Sequence, residues 1–480
     1  MQYSLVNFQD VKKVETLRID ADYYKPEYLE IEKQTEKKSH SFTDLLKLSL
    51  RIDASAFYPS LEPFYGSGNL PFLRVSDTDK FIDYNKAIKI SSEILPEFPT
   101  LKVVNKGDII VTKGGSVARV GLADRQSAVS RDLIFFNTST LDEVERTFLF
   151  VYFITDTYRK LLIRSSSMTA QPHLTLMLVK KIPIFNPSRK FKERIFALYK
   201  KAYDSLANSF NKYDLATSRL LSNLNLTNWE LNPRISYSKN FSETKASGRL
   251  DAEYYQPKYD EIQELLSHYE LTSLSKEFNL IRGKSFEYLD GENVGVIKTK
   301  QLSSRFINFD VEATTSEKIF KVNNLESIRD GDVLFASMGV GSLGKTNIFY
   351  DLEKTGLNLF TIDSTLKIFR KRTHGRVNPE VLTIFLSSQI GQELIYKNVV
   401  GSSGIISIYE RDLRDLPLPI LQQTLQDEIS QNVRQAHKSK RDSWIMLEIA
   451  KKSVENAIKT SDEQALSSLD QELDHMQIQI

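Results

Sequence analysis

Apolar and small residues recur in steps of three or four along residues 188–226: Ile195, Leu198, Ala202, Leu206, Phe210, Tyr213, Thr217, Leu220 and Leu224. The steps average about 3.6 residues, which is one stripe of an α-helix. Pro187 and Ser188 mark its start, and no Gly or Pro interrupts Ser188–Leu226. A second segment behaves alike, with Leu425, Ile429, Val433, Ala436, Ser443, Leu447, Val454 and Ile458 on one face. A helix of about 39 residues is about 58 Å long, more than one ordinary domain needs, so each is expected to be a rod that packs on another rod. With one stripe each, the economical arrangement pairs the two together.

The stretches ahead of each helix have a different pattern. Asn69–Ile90 and Asn293–Phe309 are short β-like runs broken by turn residues. "GDIIVTKGG" from Gly107 and "GDVLFASMG" from Gly331 each predict a turn, a buried strand and a glycine loop. These pieces belong to a longer repeat. "RIDADYYKPEY" (Arg18–Tyr28) and "RLDAEYYQPKY" (Arg249–Tyr259) share seven of eleven letters at an offset of 231. "RSSSMTAQPHLTLMLVKKIPI" (Arg164–Ile184) answers more loosely to "VVGSSGIISIYERDLRDLPLPI" (Val399–Ile420). Two copies at a long period are a tandem duplication rather than a solenoid. The expected fold class is α+β: a duplicated mixed α/β globule, each copy followed by a long helix, the two helices pairing as an antiparallel coiled coil. The divisions are 1–187, 188–226 (first helix), 227–420, 421–460 (second helix) and 461–480. The last stretch is acidic and is expected to fray or to touch a partner.

Composition narrows the chemistry. The 480 residues are 41% hydrophobic and 26% charged, the profile of a soluble globular protein. The absence of cysteine excludes disulfides, thiolate metal sites and cysteine nucleophiles, and fits a reducing, cytoplasmic setting. The N-terminal residues lack the order of a signal peptide, and no apolar run approaches membrane-spanning length. A net charge of +2 neither demands nor forbids nucleic acid.

One stretch matches a catalytic pattern. Gly339, Gly344, Lys345 and Thr346 fit the phosphate-binding P-loop, which requires a strand before it and a helix after it. The duplication supplies a control: Ala118, Arg119 and Val120 of the first copy stand where the second has Gly344, Lys345 and Thr346. After Lys345 the sequence reads as a short β-run and a turn. A nucleotide hydrolase or a nuclease acting on DNA therefore remains only the alternative reading. The six histidines show no metal-ligand spacing, no cofactor fingerprint is present, and no catalytic residue, cofactor or metal is expected.

The duplicated order of "DAxYYxPxY", "GD" strand, glycine-serine loop, "LPLPI" and long helix resembles the specificity (S) subunit of Type I restriction-modification systems, from about Arg18 to Lys459. The same early elements occur in specificity subunits of related Type IIB systems. The resemblance implies two target recognition domains held apart by the coiled coil, each reading one part of a split target in double-stranded DNA. It implies docking of methyltransferase (M) subunits, two in number, and of restriction (R) subunits, with no catalysis in this chain and no membrane partner. Base reading needs donors and acceptors at groove depth, and phosphate contacts set the register. The candidates are Arg74, Ser76, Lys113, Ser116, Arg119, Ser166, Thr169 and Gln171 in the first half. In the second they are Lys298, Lys300, Gln301, Ser337, Ser342, Lys345, Ser402 and Ser403. The tyrosine pairs Tyr23-Tyr24 and Tyr254-Tyr255 are expected to pack rather than to stack on bases. The basic runs at Arg189–Arg194 and Lys438–Arg441 are expected to be solvated helix faces.

Overall fold

A computed structural model describes residues 4–478 except 14–17, 44–47, 49, 115, 167–172, 175, 228, 231–233, 310, 312, 352–355, 358 and 402–404. The chain divides into two compact units, Met1–Tyr203 with Trp444–Ile480, and Asp204–Ser443.

The first unit is built on an antiparallel sheet with spatial order Arg51–Ala54, Leu133–Asn137, Ile109–Thr112, Val120–Leu122. All four residues of Ile109–Thr112 are buried, because both faces of the strand are covered. Side chains alternate across a strand. Ile109 and Val111 therefore enter a core with the helices Glu143–Phe153 and Asp156–Ser165. Ile110 faces the other way, into a cluster with Leu73, Leu133 and Phe135. A second four-stranded sheet runs Ile88–Ile90, Leu70–Leu73, Ser127–Val129, Lys102–Val104, with its two central strands parallel.

The second unit has the same plan. Its sheet has the order Phe278–Arg282, Leu366–Lys371, Val333–Ala336, Thr346–Ile348. Val333 and Phe335 face the helices Pro379–Ser387 and Gln389–Lys397, while Leu334 and Ala336 face the other way. Beside it lie Thr314–Thr315, Val294–Ile297 and Leu359–Ile362, the last two parallel. The "GD" signature has one job in both units. Gly107 and Gly331 turn at φ +93° and +81°, a conformation that glycine adopts without steric cost. Asp108 and Asp332 then accept the backbone N–H three residues back, from Asn105 and Arg329, both at 2.8 Å.

The repeated tyrosine motif is a clamp. Arg18 forms a bidentate pair with Asp20, stacks 4.7 Å from the Tyr23 ring, and donates to the Arg164 and Ser166 carbonyls. A cation there suits the negative end of the helix Asp156–Ser165. Arg249 pairs with Asp251 in the same way, lies 4.7 Å from the Tyr254 ring and donates to the Val399 carbonyl. Tyr24 and Tyr255 hydroxyls return to the Arg18 and Arg249 carbonyls. The motif is thus spent on packing.

The long helices are Arg189–Asn223 and Gln423–Lys459. In the first unit, Phe191, Ile195, Leu198 and Ala202 share a core with Leu447, Ala450, Val454 and Ile458. In the second, Tyr213, Leu220 and Leu224 share one with Ile429, Val433 and Ala436. Each helix buries a wider face than one stripe, because Tyr199, Met446 and Ile449 are also covered. The basic run 189–194 is a solvated face only in part: Arg189 and Lys190 are exposed, but Lys192 is buried, its Nζ 2.7 Å from Glu145 Oε2 and 2.6 Å from Asn186 Oδ1. Arg189 pairs with Asp142 at 2.6 Å and Arg194 with Asp470 at 2.7 Å. Nor does the acidic tail fray. Asp462–His475 is a helix that buries Ala465, Leu469 and Leu473 in the first unit's core, with Ser461 as its N-cap. Net acidity hid an apolar stripe at helical spacing.

Candidate nucleic-acid interface

In each unit three loops meet beyond the central strands. The first follows the strand Leu70–Leu73, where Arg74 opens a short 3-10 turn closed by the Asp77 carboxylate, which accepts the Arg74 N–H at 3.0 Å. In the second unit Lys298 holds that position and the Gln301 amide oxygen accepts its N–H at 3.1 Å. Gln301 is therefore buried and fixed in a turn, and it is withdrawn as a base-reading residue. Ser76 and Lys300, on these turns, are exposed.

The second loop is the glycine hairpin. The Thr112 N–H bonds to the Arg119 carbonyl at 3.0 Å, and the Ala336 N–H to the Lys345 carbonyl at 2.9 Å, so Arg119 and Lys345 are equivalent cations. Ala118 sits at φ +67° where Gly344 sits at φ +85°. The second glycine of the P-loop pattern is thus a left-handed turn residue whose place an alanine takes in the first unit. Lys345 leads into the strand Thr346–Ile348 rather than a helix, and the buried Thr346 hydroxyl donates to the Gly344 carbonyl at 2.9 Å. The loop offers neither a helix N-terminus nor a free threonine to a nucleotide, and the hydrolase alternative loses its only motif. Ser116 is exposed, and Lys113, Ser342 and Lys345 are half-buried. Ser337 is a correction: its hydroxyl donates to the Thr365 carbonyl at 3.0 Å and the residue is buried.

The third loop was not singled out in the sequence. Ser130–Asp132 joins the other two: the Ser130 N–H bonds to the Leu73 carbonyl, and the Lys113 N–H to the Asp132 carbonyl, both at 2.9 Å. In the second unit Asp363–Thr365 does the same, through Asp363 N–H to the Ile297 carbonyl and Ser337 N–H to the Thr365 carbonyl. A readable signal existed, since each turn sits directly before a strand of its unit's central sheet. Ser166 is a further correction, 1% exposed and donating to the Ile163 carbonyl at 2.7 Å as it ends a helix. Thr169, Gln171, Ser402 and Ser403 lie outside the described residues.

Aromatic rings line these loops. Tyr58 accepts the Arg131 N–H at 3.2 Å, and the Lys298 ammonium lies 3.7 Å from the Tyr288 ring centre. Burial pushes the Tyr58 and Tyr288 hydroxyls up from their usual value, so both stay neutral at physiological pH. Cations, hydroxyls and aromatic faces on adjoining loops suit phosphate contact and base contact together. Among the described residues no cluster of acids and histidines could hold a metal, and no helix is long and apolar enough to cross a membrane.

Comparison with known proteins follows the same line. A family model, the Type I restriction modification DNA specificity domain, matches residues 38–213. Among solved structures, the chain is similar to the Type-I restriction-modification system S subunit from M. genitalium, with 13% identity, 89% of this chain and 96% of that chain covered, and a TM-score of 0.37. It is similar to the HsdS subunit from Thermoanaerobacter tengcongensis at 15% identity, 86% and 97% coverage, TM-score 0.25. The type IIG restriction endonuclease BpuSI matches at 9% identity over 39% of this chain and 29% of that one, TM-score 0.31. No curated protein matches the chain. Residues 38–213, which hold the sheets, turns and cations of the first interface, are thus similar to the Type I restriction modification DNA specificity domain.

Proposed function

We propose that the chain is the DNA sequence-specificity subunit of a methylating, restriction-type complex and that it reads a split target, one part with each unit. One observation carries this reading. The same sheet order and the same three-loop platform are built twice, with different side chains at equivalent positions: Arg74 against Lys298, Ser76 against Lys300, Lys113 against Ser337, Arg119 against Lys345. A common scaffold with divergent contact residues is what two half-sites of different sequence require.

In this reading the chain is a tandem duplication whose divisions are the two recognition domains, the two long helices and the C-terminal segment. The helices pair as an antiparallel coiled coil that sets the number of base pairs between half-sites. They also dock two methyltransferase subunits, and restriction subunits join that assembly. The chain brings no active site of its own. DNA contacts are assigned to Arg74, Ser76, Lys113, Ser116, Arg119, Lys298, Lys300, Ser342 and Lys345. Mapping methylated positions in the host genome, with and without this gene, tests it. A methylated split motif that disappears with the gene supports the reading; an unchanged methylation map overturns it.

A further inference from the structure

Duplex reading leaves one feature of the first unit unexplained, a cavity of about 580 Å³ beside the turn that follows the strand Leu70–Leu73. Its walls include Tyr58, Tyr65, Arg74, Ser130, Arg131 and Asp132. Phe57 at its edge is 74% exposed and Tyr65 39%, so large rings face water rather than a core. Ser130 is 7% exposed, and its hydroxyl has no hydrogen-bond partner among the described residues. A buried hydroxyl without a partner is costly, and a bound group that completes it removes that cost.

Bases inside a duplex present only their edges, and side chains that protrude into the groove read them. A concave site lined by rings has the opposite shape. It suits a base taken out of the stack, held between aromatic faces and bonded at its edge. The volume lies in the range of small-ligand sites, about 300–1,000 Å³. We propose that this cavity takes one unstacked nucleobase of the bound DNA, with Tyr58 and Tyr65 as stacking faces, Ser130 and Asp132 at the base edge, and Arg74 and Arg131 toward the flanking phosphates. The inference rests on the DNA-reading function above. It belongs to the first unit, because in the second the Lys298 ammonium already covers the Tyr288 ring.

The test is saturation-transfer NMR on the full chain with each of the four deoxynucleoside monophosphates and with 2-deoxyribose 5-phosphate. In parallel, anisotropy follows binding of a random-sequence duplex. At least one nucleotide should receive saturation at its base protons, and the base-free sugar phosphate should receive none. Tyr65→Ala should weaken that nucleotide about tenfold. Ser130→Ala and the exposed-site variant Arg131→Ala should weaken it severalfold; the last carries the test if Tyr65→Ala does not fold. Nucleotide signals unchanged in all three variants would overturn the assignment. So would salt-dependent duplex binding with no base signal, which leaves the DNA-reading function standing. Loss of both duplex and nucleotide binding would sink both proposals.

Discussion

At the scale of single residues, the repeated letters proved to be structural, and the divergent ones are those assigned to DNA in the proposed function. Asp20 illustrates the first class. Its hydrogen bonds from Arg18 hold its carboxyl below the usual 3.8. A depressed carboxylate contributes stability that is complete above the unfolded value and is lost as pH falls through the lower folded one. Asp20→Asn should therefore cost about 0.5–1 kcal/mol at pH 7. The gap to the natural protein should close below pH 3.8, as read by urea denaturation at several pH values. Lys345 illustrates the second class. Lys345→Ala should leave any nucleotide hydrolysis by the preparation unchanged while weakening duplex binding and reducing its salt slope by about one. A hydrolysis rate that falls with this variant would restore the P-loop reading.

At the scale of elements, periodicity was a sound guide and net charge a poor one. The stripes from Ile195 to Leu224 and from Leu425 to Ile458 correspond to Arg189–Asn223 and Gln423–Lys459, because 3.6-residue spacing needs only local geometry. The C-terminal helix had the same signal in Ala465, Leu469 and Leu473, masked by the acids around them. Leu469→Ala should cost about 2–5 kcal/mol, since the side chain is fully covered and its removal leaves a void. The shift in urea midpoint of the first unit checks this. The helices also carry the ruler proposal. Four extra residues in each add about 6 Å, near two base pairs, so the spacer of the methylated motif should lengthen while both half-sites stay the same. A spacer that does not respond removes the helices as the measure.

At the scale of the whole molecule, two platforms of one design predict independence. Lys298→Ala should alter preference in one half of the target, by about 1–3 kcal/mol if it contacts a base, and leave the other half unchanged. Sequencing of methylated sites reads both halves at once. The sequence by itself determined the duplication of motifs, the long helices, the buried "GD" strands and the failure of the P-loop context, since each depends on neighbours along the chain. It also drew attention to Arg74, Arg119, Lys298 and Lys345. Only the tertiary structure decided that Gln301, Ser337 and Ser166 are spent inside turns and a helix end, and that Ser130–Asp132 joins Arg74 to Lys113. Those outcomes depend on which carbonyl lies opposite a side chain after the sheets close, and no local pattern records that.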